Sequence, residues 1–398
     1  MSLDFIQLSQ QVQQMGEKAL QHQADLRTRL EAACALLSVY DGQTEMLREK
    51  VEEVVQDHEP GLRCAVPVSE GLNASFPLPP LPEYATMIAA DGSQIFADRH
   101  AEVDYCLVNT GAISLSYGSQ EAPAASIQTR LIFAEELDDM SDEKLSLKRD
   151  LAERLRLLEL ASQAEPPLVT LTDGPLELWT TSLEEGRIAG EFRKSLEIYL
   201  GVLRGLRDLN AITAGYVDKP GADLVVRLLE VGKAGENDLL NMRSYRPFKG
   251  VTDIELFGDV LQPGERSAVF AIQSRSAASY PDELGLHFFY LNVGRAGHPY
   301  LARVEIPAWV VGNPAMLNTL QAVLVSQCRM IGARGYPYIL HRAHETAVVS
   351  LEDKEQVTQM IVRELLKRGV QVAGVSAKQY NKDVSGKRTR YGSWNKSR

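Results

Sequence analysis

The stretch Ala85-Thr86-Met87-Ile88-Ala89-Ala90-Asp91-Gly92-Ser93-Gln94 decides the fold, because an apolar run of strand length leads directly into a carboxylate and a glycine. About 80 residues later, Pro167-Leu168-Val169-Thr170-Leu171-Thr172 runs into Asp173-Gly174-Pro175-Leu176 in the same way. One Asp-Gly pair alone predicts only a turn. Two strand-end carboxylates, each followed by a glycine that permits a sharp bend, are the pattern of a divalent-metal site, since hard cations prefer oxygen ligands.

The chain of 398 residues is too long for one compact core, so one large domain with an appendage is expected. Four cysteines lie far apart without a CxxC pair, which argues against a zinc ribbon or a disulfide framework and favours a reducing compartment. The N-terminus lacks a basic region followed by an apolar stretch, and no run of about 18 apolar residues occurs. These features predict a cytoplasmic protein that does not contact the membrane.

Composition divides the chain into four parts. Residues 1–57 have helical periodicity and hold no proline, whereas 58–83 is rich in proline and is predicted to be a linker. The main domain covers 84–377. The tail 378–398 carries seven basic residues and one acidic residue, although the whole chain has a net charge of −11. Aromatic residues are interleaved in this tail, which predicts either a contact with a nucleic-acid strand or a solvated end.

The order of elements predicts an α/β fold of ribonuclease-H-like type, with a mixed sheet flanked by helices. Ser141 is the predicted N-cap of the first crossover helix. Predicted strands cover 84–90, 103–108, 112–117, 126–134, 167–172, 211–217, 267–274, 286–293, 300–306 and about 370–375, and predicted helices of the main domain cover about 142–164, 184–209, 312–333 and 353–368. The strands 103–108 and 112–117 are expected to form an antiparallel pair.

This arrangement places one acid on the first strand, one on the crossover helix and one at the end of the following strand. Asp91 and Asp173 occupy the two strand positions. The strand before Asp173 is about 20 Å long. At 1.5 Å per residue, about 13 helical residues return the chain to the level of Asp173. Counting back from the predicted helix end favours Glu153, and Glu159 is the alternative.

Four short blocks, in this order between Ile88 and about Ser350, resemble the NurA nuclease family. They are Ala89-Ala90-Asp91-Gly92-Ser93-Gln94, Leu147-Lys148-Arg149 with Glu153, Thr172-Asp173-Gly174-Pro175-Leu176, and Gly335-Tyr336-Pro337-Tyr338-Ile339-Leu340-His341-Arg342-Ala343-His344. The resemblance implies a manganese- or magnesium-dependent nuclease that digests DNA single strands and duplex ends, of single-strand endonuclease and 5'-3' exonuclease type, in DNA end processing during repair. It also implies a homodimer and a HerA-type hexameric DNA translocase as partner.

Carried over to this chain, the resemblance makes Asp91, Glu153 and Asp173 the metal-binding carboxylates. Tyr336 and His344 match the late Tyr and His positions of the family. His344 is then a metal ligand or a hydrogen-bonding partner of the scissile phosphate, and His341 is a nearby alternative. Without the resemblance, a buried hydrogen-bonded histidine and a packed tyrosine are the ordinary interpretations.

Basic and aromatic residues alternate between Arg243 and Gly250, so Arg243, Arg246 and Lys249 are candidate nucleic-acid contacts, and Lys219 is a further one. Two features argue against nuclease activity. The net charge is acidic, which weakens binding to DNA phosphates, and Pro175 has no backbone N–H that could bind a phosphate. The alternative is a catalytically weak scaffold or clamp for a DNA translocase. A phosphatase fits less well, because no Walker-type loop is present. The apolar stripes of residues 1–57 predict a role in assembly.

Overall fold

A computed structural model describes residues 3–98, 103–133, 135–138, 140–178, 186–332 and 335–370. Its strands are β1 (Cys64–Pro67), β2 (Ser75–Phe76), β3 (Ala85–Ile95), β4 (Cys106–Tyr117), β5 (Ala124–Ile132), β6 (Leu168–Asp173), β7 (Ile212–Val217), β8 (Arg266–Ser267), β9 (Phe270–Gln273), β10 (Leu286–Asn292) and β11 (Leu301–Pro307). Its α-helices are α1 (Phe5–Val39), α2 (Thr44–Glu53), α3 (Glu135–Asp138), α4 (Asp142–Ala161), α5 (Gly186–Asp208), α6 (Leu224–Lys233), α7 (Glu236–Leu239), α8 (Asp253–Gly258), α9 (Ala308–Val311), α10 (Pro314–Met330), α11 (Tyr338–Ala347) and α12 (Leu351–Lys367). None of the described helices is both long and apolar enough to cross a membrane.

One sheet organises the molecule, in the order β1-β9-β10-β11-β7-β6-β3-β4-β5. Strands β3, β4 and β5 form an antiparallel meander. Strands β6 and β7 then add in parallel beside β3, reached through the crossover helices α4 and α5. This order confirms the predicted ribonuclease-H-like mixed sheet flanked by helices. Strands β11, β10 and β9 extend the sheet beyond β7 in antiparallel pairing.

Helices cover both faces of the central strands, and alternate residues of β3 point to different layers. Ile88 and Ala90 pack in one core with α4 and α5. Met87 and Ala89 pack in a second core with α10 and α11. Helix α4 begins where predicted, because the Ser141 hydroxyl accepts a hydrogen bond from the Lys144 amide.

Two strand boundaries differ from prediction. Strand β3 does not end at Asp91 but continues to Ile95, because β4 pairs with it along its whole length. The predicted pair 103–108 and 112–117 is one continuous strand, β4. Gly111 is not a turn residue: a Cβ there would lie 2.5 Å from the Ala347 backbone nitrogen. It therefore allows the end of α11 to approach the sheet closely.

The segment 58–83, predicted as a linker, contributes β1 and β2 to the sheet, so its prolines do not separate it from the main domain. Helix α2 and the second half of α1 also pack on this domain, through buried residues such as Leu37 and Val51. Residues 3–25, by contrast, are exposed on every side and form an arm. The predicted strand near 370–375 and the basic tail 378–398 lie outside the described residues, apart from residue 370.

Candidate active site

Asp91 and Asp173 lie at the same level of two neighbouring strands. The parallel pairing of β3 with β6 reaches Ala90 opposite Thr172, and each aspartate is the next residue of its strand. Both aspartates continue the alternation that points Met87, Ala89, Val169 and Leu171 into the α10/α11 layer. Adjacent strands are about 4.8 Å apart. Burial raises the pKa of Asp173, and the charge of Asp91 raises it further, as expected for two close carboxylates.

Helix α11 brings the late tyrosine and histidine to these two acids. His344 Nδ1 lies 2.7 Å from Asp91 Oδ2. Tyr336 hydrogen-bonds Asp173 and packs edge-on against Tyr216, with ring centroids 5.8 Å apart. His344 is therefore an exposed partner of Asp91 and not a buried core histidine. His341 instead contacts Glu345, at 3.6 Å.

Glu153 approaches the same region from the α4 side of the sheet. Its side chain is 8% exposed and lies beside Gly92, where a Cβ would come within 2.6 Å of Glu153 Oε1. Glu159, the alternative acid, is 51% exposed and pairs with Arg156 at 2.6 Å. The structure thus brings Glu153, and not Glu159, next to the Asp91-Gly92 pair.

The open edge of β3 lets groups from both faces meet. In the described part of the chain, β3 pairs with β6 only up to Ala90. Beyond that level the β6 chain turns away at Gly174, whose φ is +83°. The β6-facing edge of β3 from Asp91 onward is therefore open. The charges on Asp91 and Glu153 influence each other there, since Asp91 contributes to the raised pKa of Glu153.

Burial raises the pKa of Glu153 to about 8, and the Arg154 charge opposes that shift. An acid in such an environment is costly to ionise unless a cation compensates it. Within the described residues, no three His, Cys, Asp or Glu side chains are gathered as a ready metal-ligand set. Each acid has its own partner instead: Asp91 has His344, Asp173 has Tyr336, and Glu153 has Arg149 at 3.4 Å and Arg154 at 3.5 Å.

The donor chemistry fits a hard cation in two respects. All three acids supply carboxylate oxygens, which Mn²⁺ and Mg²⁺ prefer. Gly92 also leaves a gap between Asp91 and Glu153 that any other side chain would fill.

The loop after Asp173 is held by buried groups that the sequence does not reveal. Glu305 of β11 is fully buried and accepts a hydrogen bond from the Leu176 amide at 2.9 Å. Arg154 donates to the Pro175 carbonyl at 3.2 Å. Pro175 lacks an N–H, yet its carbonyl anchors the loop to α4. These contacts fix Asp173 at the strand end.

Asp218, just after β7, is a further acid near the site. Its charge raises the pKa of both Asp173 and Tyr336, after the larger effect of burial. It accepts a hydrogen bond from the Tyr300 hydroxyl at 2.5 Å. Lys219 has a φ of +44° and lies over the Tyr300 ring, 5.5 Å from its centroid. The only sequence signal for Asp218 is its place after a predicted strand that neighbours Asp173.

Among the predicted nucleic-acid contacts, Lys219 follows Asp218 near the site, whereas the described contacts of Arg246 and Lys249 are made with residues other than the three acids. Arg246 pairs with Glu230 at 2.8 Å and with Asp223. Arg243 and Arg246 line a separate cleft. Lys249 is exposed, and its carbonyl accepts from Arg29 at 2.6 Å. The pattern of charges in the sequence does not show whether an arginine forms an ion pair within the protein.

Comparison with known proteins gives one family match. The model of the NurA domain matches residues 85–349, which confirms the resemblance drawn from the four sequence blocks. The NurA nuclease of Sulfolobus solfataricus is 14% identical over 74% of this chain and 88% of that chain, with a TM-score of 0.49. The catalytic domain of human endonuclease V is 13% identical over 70% of this chain and 83% of its own, with a TM-score of 0.30.

An endonuclease V of Ciona intestinalis, in complex with DNA, is 12% identical over 80% of this chain and 98% of its own, with a TM-score of 0.28. No curated protein matches the sequence significantly.

Proposed function

Because the chain belongs to the NurA domain family, we propose that it is a divalent-metal-dependent nuclease that hydrolyses phosphodiester bonds of DNA. Single strands and duplex ends are the proposed substrates, in DNA end processing during repair, with single-strand endonuclease and 5'-3' exonuclease activity. The observation that carries the proposal is the in-register placement of Asp91 and Asp173 with Glu153 beside Gly92. We assign the nuclease domain to 84–377, which contains the family match.

In the proposed mechanism, Asp91, Glu153 and Asp173 would hold Mn²⁺ or Mg²⁺. A bound ion of this kind lowers the pKa of a water molecule and stabilises charge on the phosphate and the leaving oxygen. Tyr336 donates its hydroxyl hydrogen to Asp173 and so orients that carboxylate. Arg149 and Arg154 keep Glu153 at the edge of β3.

His344 is the proposed substrate contact. Its Nδ1 already meets Asp91, which fixes the position of the ring. Its Nε2 makes no hydrogen bond to the described residues, and the side chain is 60% exposed. Because Nδ1–H donates to the Asp91 carboxylate, only the protonated imidazole can also donate from Nε2, and in that form it would bind a phosphate oxygen of the strand. A direct bond from His344 to the metal is the alternative role of the same ring.

The decisive experiment measures degradation of labelled single-stranded DNA with Mn²⁺, with Mg²⁺ and in excess chelator. Asp173→Asn removes one ligand charge at nearly constant volume, so turnover should fall by at least about a hundredfold while the fold persists. Glu159→Gln is the matched control on the other side of α4 and should remain fully active. Full activity of Asp173→Asn, or of the wild type in excess chelator, would refute the mechanism.

Assembly is the second part of the proposal. The arm, residues 3–25, includes the first part of α1 and leaves Phe5, Ile6, Leu8, Val12 and Met15 exposed. Exposed apolar side chains in such number mark an interaction surface. We propose that the arm joins two copies in a homodimer or binds a HerA-type hexameric translocase.

The alternative function, a catalytically weak scaffold for that translocase, is favoured by the same arm and by the net charge of −11. Retention of all three acids favours the nuclease.

A further inference from the structure

A cleft of about 710 Å³ is rich in arginine, and none of the three acids is among its lining residues. Its basic lining residues are Arg63, Arg227, Arg243, Arg246 and Arg275, and its acidic lining residues are Glu59 and Asp223. Ser274 and Ser276 add two hydroxyl groups. The protein has a net charge of −11, so an excess of guanidinium groups at one place is not an average property of its surface.

Two of these arginines are held in place by hydrogen bonds to neighbouring residues. Arg227 is buried and donates to Glu230 at 2.7 Å and to the Tyr245 carbonyl at 2.6 Å. Arg246 donates to the same Glu230 carboxylate at 2.8 Å and to Asp223. Shared contacts of this kind hold guanidinium planes in place before a ligand arrives, which lowers the entropy lost on binding.

Two other arginines are available for a ligand. Arg243 and Arg275 are exposed and make no hydrogen bond or ion pair with any described residue. They lie on different segments of the chain, one after α7 and one after β9, and reach the same cleft. Guanidinium groups with unused donors bind phosphate oxygens in pairs of hydrogen bonds.

A smaller apolar pocket of about 180 Å³ adjoins the cleft and shares Arg275 and Ser276 with it. Its other walls include Leu178, Phe192 and Tyr280. An aromatic and aliphatic lining suits the flat face of a nucleobase, whereas the arginines suit its phosphate. The two compartments together match the two ends of one nucleotide.

We propose that this arginine cleft binds the phosphate groups of a nucleotide, with the base in the adjoining apolar pocket. The ligand is either a free nucleotide or the terminal nucleotide of a DNA strand, and both present the same chemistry. Arg63 links the cleft to the loop after Asp173, since it contacts Glu177 at 3.0 Å. Glu177 is four residues from Asp173, at most about 14 Å of chain. A strand bound at the acids is thus near enough to place its end in the cleft.

Binding without cleavage tests this proposal separately from nuclease activity. All titrations are carried out in excess chelator. Binding of dAMP is measured by calorimetry. Binding of 3'-labelled oligothymidylate, with either a 5'-phosphate or a 5'-hydroxyl, is measured by fluorescence anisotropy. Arg243→Gln/Arg275→Gln removes only exposed, unpaired groups, so the fold should persist by circular dichroism. The control Arg27→Gln/Arg204→Gln makes the same charge change at exposed helix positions elsewhere.

The cleft variant should lose about a hundredfold in affinity, because each charge-assisted hydrogen bond to phosphate contributes roughly tenfold. A loss of affinity for dAMP but for neither strand assigns the cleft to free nucleotides, and a loss for both dAMP and the 5'-phosphorylated strand assigns it to both. A loss of affinity confined to the 5'-phosphorylated strand assigns the cleft to strand ends. Unchanged affinity of the cleft variant for all three probes overturns the proposal, and so does an equal loss in the control. Loss of nuclease activity in a separate assay changes none of these readouts.

Discussion

The substitution Gly92→Ala tests whether the space beside Asp91 is functional. A Cβ at position 92 would lie 2.6 Å from Glu153 Oε1 and 2.6 Å from Arg149 Cγ. Ordinary contact begins near 3.4 Å, so both side chains must move by roughly 0.8 Å. The φ of Gly92 is not in the left-handed region, and alanine adopts this extended backbone without strain. The effect is therefore confined to the position of Glu153 and its partner.

The displacement of these two side chains determines the expected loss of turnover and of stability. A misplacement of about 1 Å in a catalytic group lowers turnover by about a hundredfold. Overpacking destabilises by about 1–3 kcal/mol. A cost within that range is expected, because Glu153 Oε1 is the end of a flexible side chain whereas Arg149 Cγ lies close to its own backbone. Gly92→Ala should thus lose most activity and keep its fold.

The assay compares kcat on single-stranded DNA with Mn²⁺ and the midpoint of thermal unfolding. Gly201→Ala is the matched control, since it lies within α5 and a Cβ there meets no described atom within 4 Å apart from the adjacent backbone of the helix. The control should keep its kcat and gain about 0.5–1 kcal/mol in stability. Wild-type kcat in Gly92→Ala would show that the position of Glu153 does not matter for turnover. A loss of activity matched by an equal loss of folded protein would also contradict the reasoning.

Two further predictions concern stability and assembly. Burial raises the pKa of Glu153 from 4.5 to about 8, so the folded protein retains a proton that the unfolded chain releases. Metal-free wild type should therefore lose stability as pH rises from about 4.5 to about 8. Glu153→Gln should lose less over the same range, because only the contributions of other buried carboxyls with raised pKa values, such as Asp253, remain. Urea unfolding at several pH values in chelator measures the difference, and parallel pH profiles would contradict the prediction. Deleting residues 1–24 should leave the unfolding midpoint unchanged and lower the mass of the protein measured by light scattering. Deleting residues 1–57 should prevent folding, because it removes buried Leu37, Leu47 and Val51. An unchanged mass after the shorter deletion would exclude the arm from self-assembly.

Local signals in the sequence were sufficient for the central elements. Apolar runs of strand length predicted β3 and β6, and the Ser141 cap marked the start of α4. The helix count placed Glu153 at the level of the two strand acids because helix rise and strand rise are fixed geometric quantities. These features depend on residues close together in the chain.

Features that depend on distant residues were missed. The predicted pair 103–108 and 112–117 requires a turn between the two strands, yet Gly111 lies inside β4 and is approached there by Ala347, at the end of α11. Arg246 is a candidate nucleic-acid contact from its basic and aromatic surroundings in the sequence, which do not reveal that its charge pairs with Glu230 and Asp223. No local pattern shows which partner a glycine or an arginine will meet after folding, because that partner is chosen by tertiary packing.

The two Asp-Gly pairs are the same dipeptide, but the glycine has a different physical role in each. Gly174 has a φ of +83° and turns the chain away from the sheet, which is the ordinary reason for glycine after a strand. Gly92 lies in extended backbone that continues β3 and pairs with β4, so no turn requires it. Successive residues of a strand point to opposite faces. Asp91 therefore faces α11, and position 92 necessarily faces α4, from which Glu153 approaches. An acid on one face and an acid from the other can share one edge only if the residue between them has no side chain.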